Sequence, residues 1–142
     1  MYKIHLLSSD TNPYDFRCLG LFPLFSKGGF GVSIDKANGQ LVFTVKQQKI
    51  ASHARLRTRQ WFHVAFTADE SLARLFVNGV LDNSVAVIGT AIAEPASPLY
   101  LGGSPSAGSD SISFLMDDVR VFSRALDSQE IEAASFPSLG SV

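Results

Sequence analysis

Residues 61–83, WFHVAFTADESLARLFVNGVLDN, restrict the fold more than any other stretch of the chain. The first arm sets Phe62, Val64 and Phe66 on one side and Trp61, His63 and Ala65 on the other. That period of two belongs to a strand in an antiparallel sheet. A second arm, Ala73–Val77, alternates in the same way, with Asp69, Glu70 and Ser71 as a polar turn between the two. Asn78-Gly79 then supplies residues that accept positive φ where the chain doubles back. A chain with this centre builds a sheet.

The flanking sequence extends the pattern. Tyr2–Leu7 alternates as a first strand, and residues 8–15, punctuated by Asn12-Pro13, read as a loop. The apolar run Cys18–Phe25 is interrupted by Pro23, which cannot donate to a ladder and so predicts a bulge or an edge. After a turn at Ser26–Gly29, Phe30–Ile34 and Leu41–Val45 form a hairpin around Lys36–Gly39, with Phe30, Val32 and Ile34 facing the same way as Leu41, Phe43 and Val45. Lys49–Leu56, Val80–Ile88, Leu99–Leu101 and Phe114–Phe122 supply further strands, with loops over 89–98 and 104–113. Asp127 and Glu130 have the spacing of a capping box, which predicts one short helix over 128–134. Short, evenly spaced strands with one terminal helix predict an all-β fold, an antiparallel two-sheet sandwich or jelly roll with a short C-terminal helix, rather than an α/β architecture.

Composition narrows the class. A length of 142 residues fits a single domain over 1–142, with 136–142 as a flexible tail. The 46% hydrophobic content, with 11 Phe and only 18% charged residues, argues for a packed sheet core and against disorder. A net charge of -1 gives no long-range field for nucleic acid or an anionic membrane, so either would need a local patch. The alternating Arg55, Arg57 and Arg59 are the one such patch, and arginines spaced this way are more often a solvated edge that discourages aggregation. Cys18 is alone, which excludes an intrachain disulfide. MYKIHLLSSD is too short in apolar residues for a signal peptide, and no stretch reaches the roughly 20 apolar residues that insert across a bilayer.

Three blocks carry a family resemblance: QWFHVA running to LFVNG at 60–79, LYLGG at 99–103, and MDDVRVFSRAL at 116–126 followed by Glu130-Ile131. In order and spacing they resemble the hairpin, strand and terminal segment of the laminin G-like group of concanavalin A-like jelly rolls, over residues 20–134. The resemblance implies binding of a carbohydrate or protein ligand and favours an extracellular or cell-surface setting. It places Trp61 in the packed core. It also implies that an acidic residue at the position of Asp117 helps hold a structural calcium, with carbonyls of the N-terminal segment as co-ligands. Members of the group usually open with an additional stretch, absent here, so the N-terminal strands are shortened. The first strand is then left with an open edge that predicts a homodimer.

The residues themselves offer little catalytic chemistry. Asp117 and Asp118 are adjacent in a strand and point to opposite faces; pairing with Arg120 or Arg124, or acceptance of backbone amides, explains them without a metal. His5, His53 and His63 lack metal-ligand spacing. The E-x-D-x-x-E string of jelly-roll glucanases is absent, as are G-x-S-x-G and phosphate-loop motifs. What remains is a non-enzymatic module that requires no cofactor, with calcium at Asp117 the one metal expectation. Its candidate ligand residues are the aromatics Tyr14 and Tyr100 and the polar loop residues Asn12, Asn83 and Asp110. An assembly domain with no small ligand is the alternative, and a glycoside hydrolase the least supported one.

Overall fold

The structure is a computed structural model that describes residues 2–8, 21–27, 30–35, 37–45, 48–57, 59–69, 71–87, 98–102, 114–122 and 124–135. Among the described residues ten strands appear in chain order: β1 (Tyr2–Ser8), β2 (Leu21–Lys27), β3 (Phe30–Asp35), β4 (Gln40–Val45), β5 (Gln48–Arg55), β6 (Trp61–Ala68), β7 (Leu72–Val77), β8 (Val80–Ala86), β9 (Leu99–Leu101) and β10 (Phe114–Val121). Helix α1 (Ser128–Ser135) follows them. The strands pair antiparallel in two five-stranded sheets, ordered β10-β1-β6-β7-β8 and β5-β4-β3-β2-β9. This is the expected jelly-roll sandwich.

The inner faces meet as the alternation requires. Phe30, Val32 and Ile34 of β3 and Leu41, Phe43 and Val45 of β4 pack in one cluster with Phe62, Val64 and Phe66 of β6 and Ala73, Leu75 and Val77 of β7. At its centre the Phe66 ring lies 4.6 Å from Phe43 and 5.5 Å from Phe25, the latter edge-on at 68°. The bulge that Pro23 predicts is present: Pro23 opposes Ser33 and Phe25 opposes Val32, so β2 carries one residue more than β3. Both Leu24 and Phe25 are buried as a result.

Two further arrangements depart from a one-sided sheet. All of 62–67 are buried, because the second face of β6 and β7 is also covered: Ala65 and Phe76 pack with Leu126 and Ile131 of the helical segment. The capping box sets that helix. The Glu130 amide donates to Asp127 Oδ1 (2.8 Å) and the Asp127 amide to Glu130 Oε2 (2.9 Å), while Arg124 grips the same carboxylate with both terminal nitrogens at 2.9 and 2.6 Å. The Arg124 guanidinium, then the Asp127 amide, lower the Glu130 pKa to about 2. A depressed carboxylate stabilises the fold above its unfolded pKa and loses that contribution as pH falls through the folded value. Acid titration followed by circular dichroism is therefore expected to show helix loss between about pH 4.5 and pH 2, shifted upward in Arg124→Ala.

The Asn78-Gly79 turn is fixed to this helix. Asn78 has φ 52° and Gly79 φ 81°, and Val77 pairs with Val80, a two-residue hairpin with both central residues left-handed. A Cβ at Gly79 would stand 2.5 Å from Ser135 Oγ and 3.4 Å from the Glu132 Cα. Gly79→Ala is expected to cost about 1–3 kcal/mol from backbone strain and helix displacement, read as a lowered urea midpoint at unchanged m-value.

The first strand corrects the open-edge expectation. Tyr2–Leu7 is paired on both sides, Leu6 with Phe62 of β6 and with Met116 of β10. The outer strand on that side of the sheet is β10.

Candidate functional site

The second sheet presents a face with small and polar residues in strand register. Tyr100 of β9 opposes Ser26 of β2, Ser26 opposes Gly31 of β3, Gly31 opposes Thr44 of β4, and Thr44 opposes Lys49 of β5. One row therefore crosses all five strands. The neighbours of each inner member are the core residues Phe25, Phe30, Val32, Phe43 and Val45, so the row lies on the face turned away from the sandwich interior. At a strand spacing of about 4.8 Å, the four steps from Tyr100 to Lys49 span about 19 Å. A second row, Ser33–Val42–Ala51, runs beside it. Short side chains flanked by an exposed tyrosine form a shallow polar track that a flat, hydroxyl-rich ligand can lie along, with Tyr100 as its stacking plane.

Hydrolytic chemistry has little to draw on here. Among the strands of this sheet the sequences LFPLFSK, FGVSID, QLVFTV, QKIASHAR and LYL contain one carboxylate, Asp35. Its Oδ1 accepts the Ala37 amide at 2.9 Å, fixing the β3–β4 turn together with Gly39 at φ 74°. Cleavage of a glycosidic bond by two carboxyl groups needs a pair.

The sequence-derived candidates separate. Tyr100 is 37% exposed and sits on the track. Asn83 does not: its Nδ2 donates to the Ala51 carbonyl at 2.8 Å and its Oδ1 accepts the Ser84 amide, so its amide ties β8 to β5. Asn12, Tyr14 and Asp110 lie outside the described residues. Trp61 overturns its expected place in the core: it is 49% exposed, at the first position of β6. Leu7 of β1 is its register partner and also that of Leu115 of β10, which is 53% exposed, so Trp61 and Leu115 flank one position on the first sheet. His63, by contrast, is buried, and its backbone is clasped by Asn78, whose Oδ1 accepts the His63 amide at 3.0 Å.

Asp117 and Asp118 also differ from simple alternation. Between the pairs Lys3–Arg120 and His5–Asp117, β10 has one residue more than β1, and Asp118 takes φ 53°. This bulge interrupts the period of two that would have sent the carboxylates to opposite faces. Asp118 Oδ1 accepts Arg120 Nε at 2.7 Å, and Asp117 Oδ1 accepts the Asp118 amide at 2.8 Å. Asp117 thus brings one exposed carboxylate toward any calcium, which takes six to eight oxygens. Among the described residues no group of three or more His, Cys, Asp or Glu stands together to hold a metal, and residues 9–20 lie outside them.

A contact that sequence reasoning missed closes the sandwich edge. Between Val42–Ala51 and Gln40–Arg55, β5 carries two residues more than β4. Ser52 Oγ fills the gap by accepting the Leu41 amide, and Asp82 of β8 accepts the displaced amides of His53 (2.6 Å) and Ala54 (2.9 Å).

The sequence profile of the concanavalin A-like lectin/glucanases superfamily matches residues 7–132. A curated relative, a BEACH domain-containing protein of Dictyostelium discoideum, is 28% identical over 108 residues; the match takes in 67% of this chain and 5% of that protein's length. Among solved structures, a candidate carbohydrate-binding protein of Bacteroides ovatus superposes with a TM-score of 0.75 at 21% identity, over 92% of this chain and 39% of its own. The receptor-binding domain of botulinum neurotoxin type G gives 0.69 at 15% identity, over 94% and 37%. The fourth domain of an extracellular arabinanase of Geobacillus stearothermophilus, solved with arabinotriose, gives 0.66 at 17% identity, over 94% and 66%. At these identities the likeness is one of fold. No helix among the described residues is long and apolar enough to cross a membrane.

Proposed function

Because this chain belongs to the concanavalin A-like lectin/glucanases superfamily, we propose that it is a carbohydrate-binding module that holds an oligosaccharide on the outer face of the second sheet. The observation that carries the reading is the registered row Tyr100–Ser26–Gly31–Thr44–Lys49: an exposed aromatic at one end, small polar residues along the track and a cation at the other end. The carbohydrate-binding assignment of the Bacteroides ovatus protein and the arabinotriose bound to the arabinanase domain support the ligand class. Binding proceeds without hydrolysis, since the strands of this sheet hold one carboxylate, Asp35, and it is used in a turn. None of the five track residues is a His, Cys, Asp or Glu. Isothermal titration against a panel of oligosaccharides is expected to give a saturable ligand with equal affinity in calcium and in chelator. Tyr100→Ala should weaken it about tenfold, the equivalent of ~1.4 kcal/mol, at unchanged thermal stability. A panel without a binder, or a binder indifferent to Tyr100→Ala and Thr44→Ala, rejects the reading.

A second reading, recognition of a protein surface or of a second copy, is favoured by the other sheet. There β10 is one of the two outer strands, with Leu115 exposed across Leu7 from Trp61 and Val121 exposed toward the other end of the strand. Sedimentation at micromolar concentration decides on self-association: a homodimer dissociated by Val121→Lys supports it, and a monomer at all concentrations removes it.

A further inference from the structure

The outer face of β5 carries Lys49, Ala51, His53 and Arg55, every second residue exposed, and exposed Arg57 continues the alternation past the strand end. Three of these cations, Lys49, Arg55 and Arg57, take part in no ion pair among the described residues. The nearby acid, Asp82, spends its carboxylate on the His53 and Ala54 amides and contacts the His53 ring at 3.7 Å, with its own side chain 9% exposed. The stripe is therefore a local positive field on a chain whose net charge is -1. It borders the track directly, because Lys49 pairs with Thr44 and Ala51 with Val42. Edge protection accounts for scattered cations on an open strand, but this edge is already closed by Asp82 and Asn83 of β8.

We infer that the ligand of this face is an acidic oligosaccharide, bearing uronate or sulfate groups, whose anions lie on Lys49, Arg55 and Arg57 while its rings occupy the Thr44–Gly31–Ser26 track toward Tyr100. The inference rests on the carbohydrate reading above and adds the charge class. A membrane surface fits less well: the exposed large hydrophobics among the described residues lie on β6, β8, β9 and β10, and none on β3, β4 or β5, so neither the stripe's own strand nor the two strands next to it in the sheet present one to a bilayer. Single-stranded nucleic acid needs aromatic platforms next to the cations, and Tyr100 stands at the far end of the row, about 19 Å away at ordinary strand spacing.

The test titrates the whole chain with an oligogalacturonide, a sulfated heparin-derived octasaccharide, a neutral arabino-oligosaccharide, polyglutamate, single-stranded DNA and vesicles containing phosphatidylserine. The expected result is preference for an acidic sugar over the neutral one by at least tenfold, weakening with salt, and lost at least tenfold in Lys49→Gln/Arg55→Gln/Arg57→Gln, a folded exposed-surface variant by circular dichroism. Tyr100→Ala should weaken the same ligand. Neutral sugar bound as tightly as the acidic ones overturns the charge class and leaves the carbohydrate reading standing. Acidic sugar lost in the triple variant but untouched by Tyr100→Ala keeps the stripe and rejects the track. Equal binding of polyglutamate, DNA or vesicles overturns the inference, as does absence of acidic-sugar binding.

Discussion

Phe66→Ala is expected to cost about 3–5 kcal/mol, a large part of the total stability of a domain this size. Phe66 is 1% exposed and sits where the two sheets meet, its ring against Phe43 at 4.6 Å and Phe25 at 5.5 Å. Truncation removes the transfer energy of the ring and leaves a cavity whose walls belong to β2, β4 and β6. Those strands are held in two different ladders, so they cannot close onto the void without losing register. Phe66→Leu, which keeps most of the volume, should cost less than half as much. Urea denaturation monitored at Trp61, which is exposed and away from the cavity, measures both.

The second large effect is expected at the sandwich edge. Asp82→Ala should destabilise the fold by about 1–3 kcal/mol, because it removes the acceptor of two amides that the β5 bulge has already taken from the β4 ladder. The half-buried Ala54 amide decides the size, since it is left short of a partner, whereas the exposed His53 amide can turn to water. Asp82→Asn keeps one acceptor oxygen and should recover part of the loss. Amide hydrogen exchange gives a specific signature, with His53 and Ala54 losing protection in Asp82→Ala while the β6–β7 amides keep theirs. Uniform loss of protection across both sheets would contradict a local clamp.

The strands, the turns, the Pro23 bulge and the capping box were all legible in the sequence, because each is specified by neighbouring residues. Alternation marked the core faces of β3 and β4, and Asn78-Gly79 marked a positive-φ reversal. What local pattern could not supply is which strands become neighbours. Trp61 was expected inside, yet it begins its strand, and its surroundings depend on β1 and β10, some fifty residues away on either side. The same limit hid the binding track, whose five residues lie on five strands and align only through register. It hid the Asp82 clamp too, since a bulge in β5 creates the need and a residue 29 positions later meets it. One signal was available: Ala65 and Phe76 stand on the side of their strands that simple alternation assigns to solvent, and that face is covered by α1.

Chemical-shift mapping of the carbohydrate titration on the isotopically labelled chain tests the central claim most directly. Binding on the outer face of the second sheet predicts that the largest amide shifts fall on Ser26, Gly31, Thr44, Lys49 and Tyr100. Trp61, Leu115 and Val121, on the opposite sheet, should be unmoved. Shifts concentrated on those three residues, with the five-strand row silent, would contradict it.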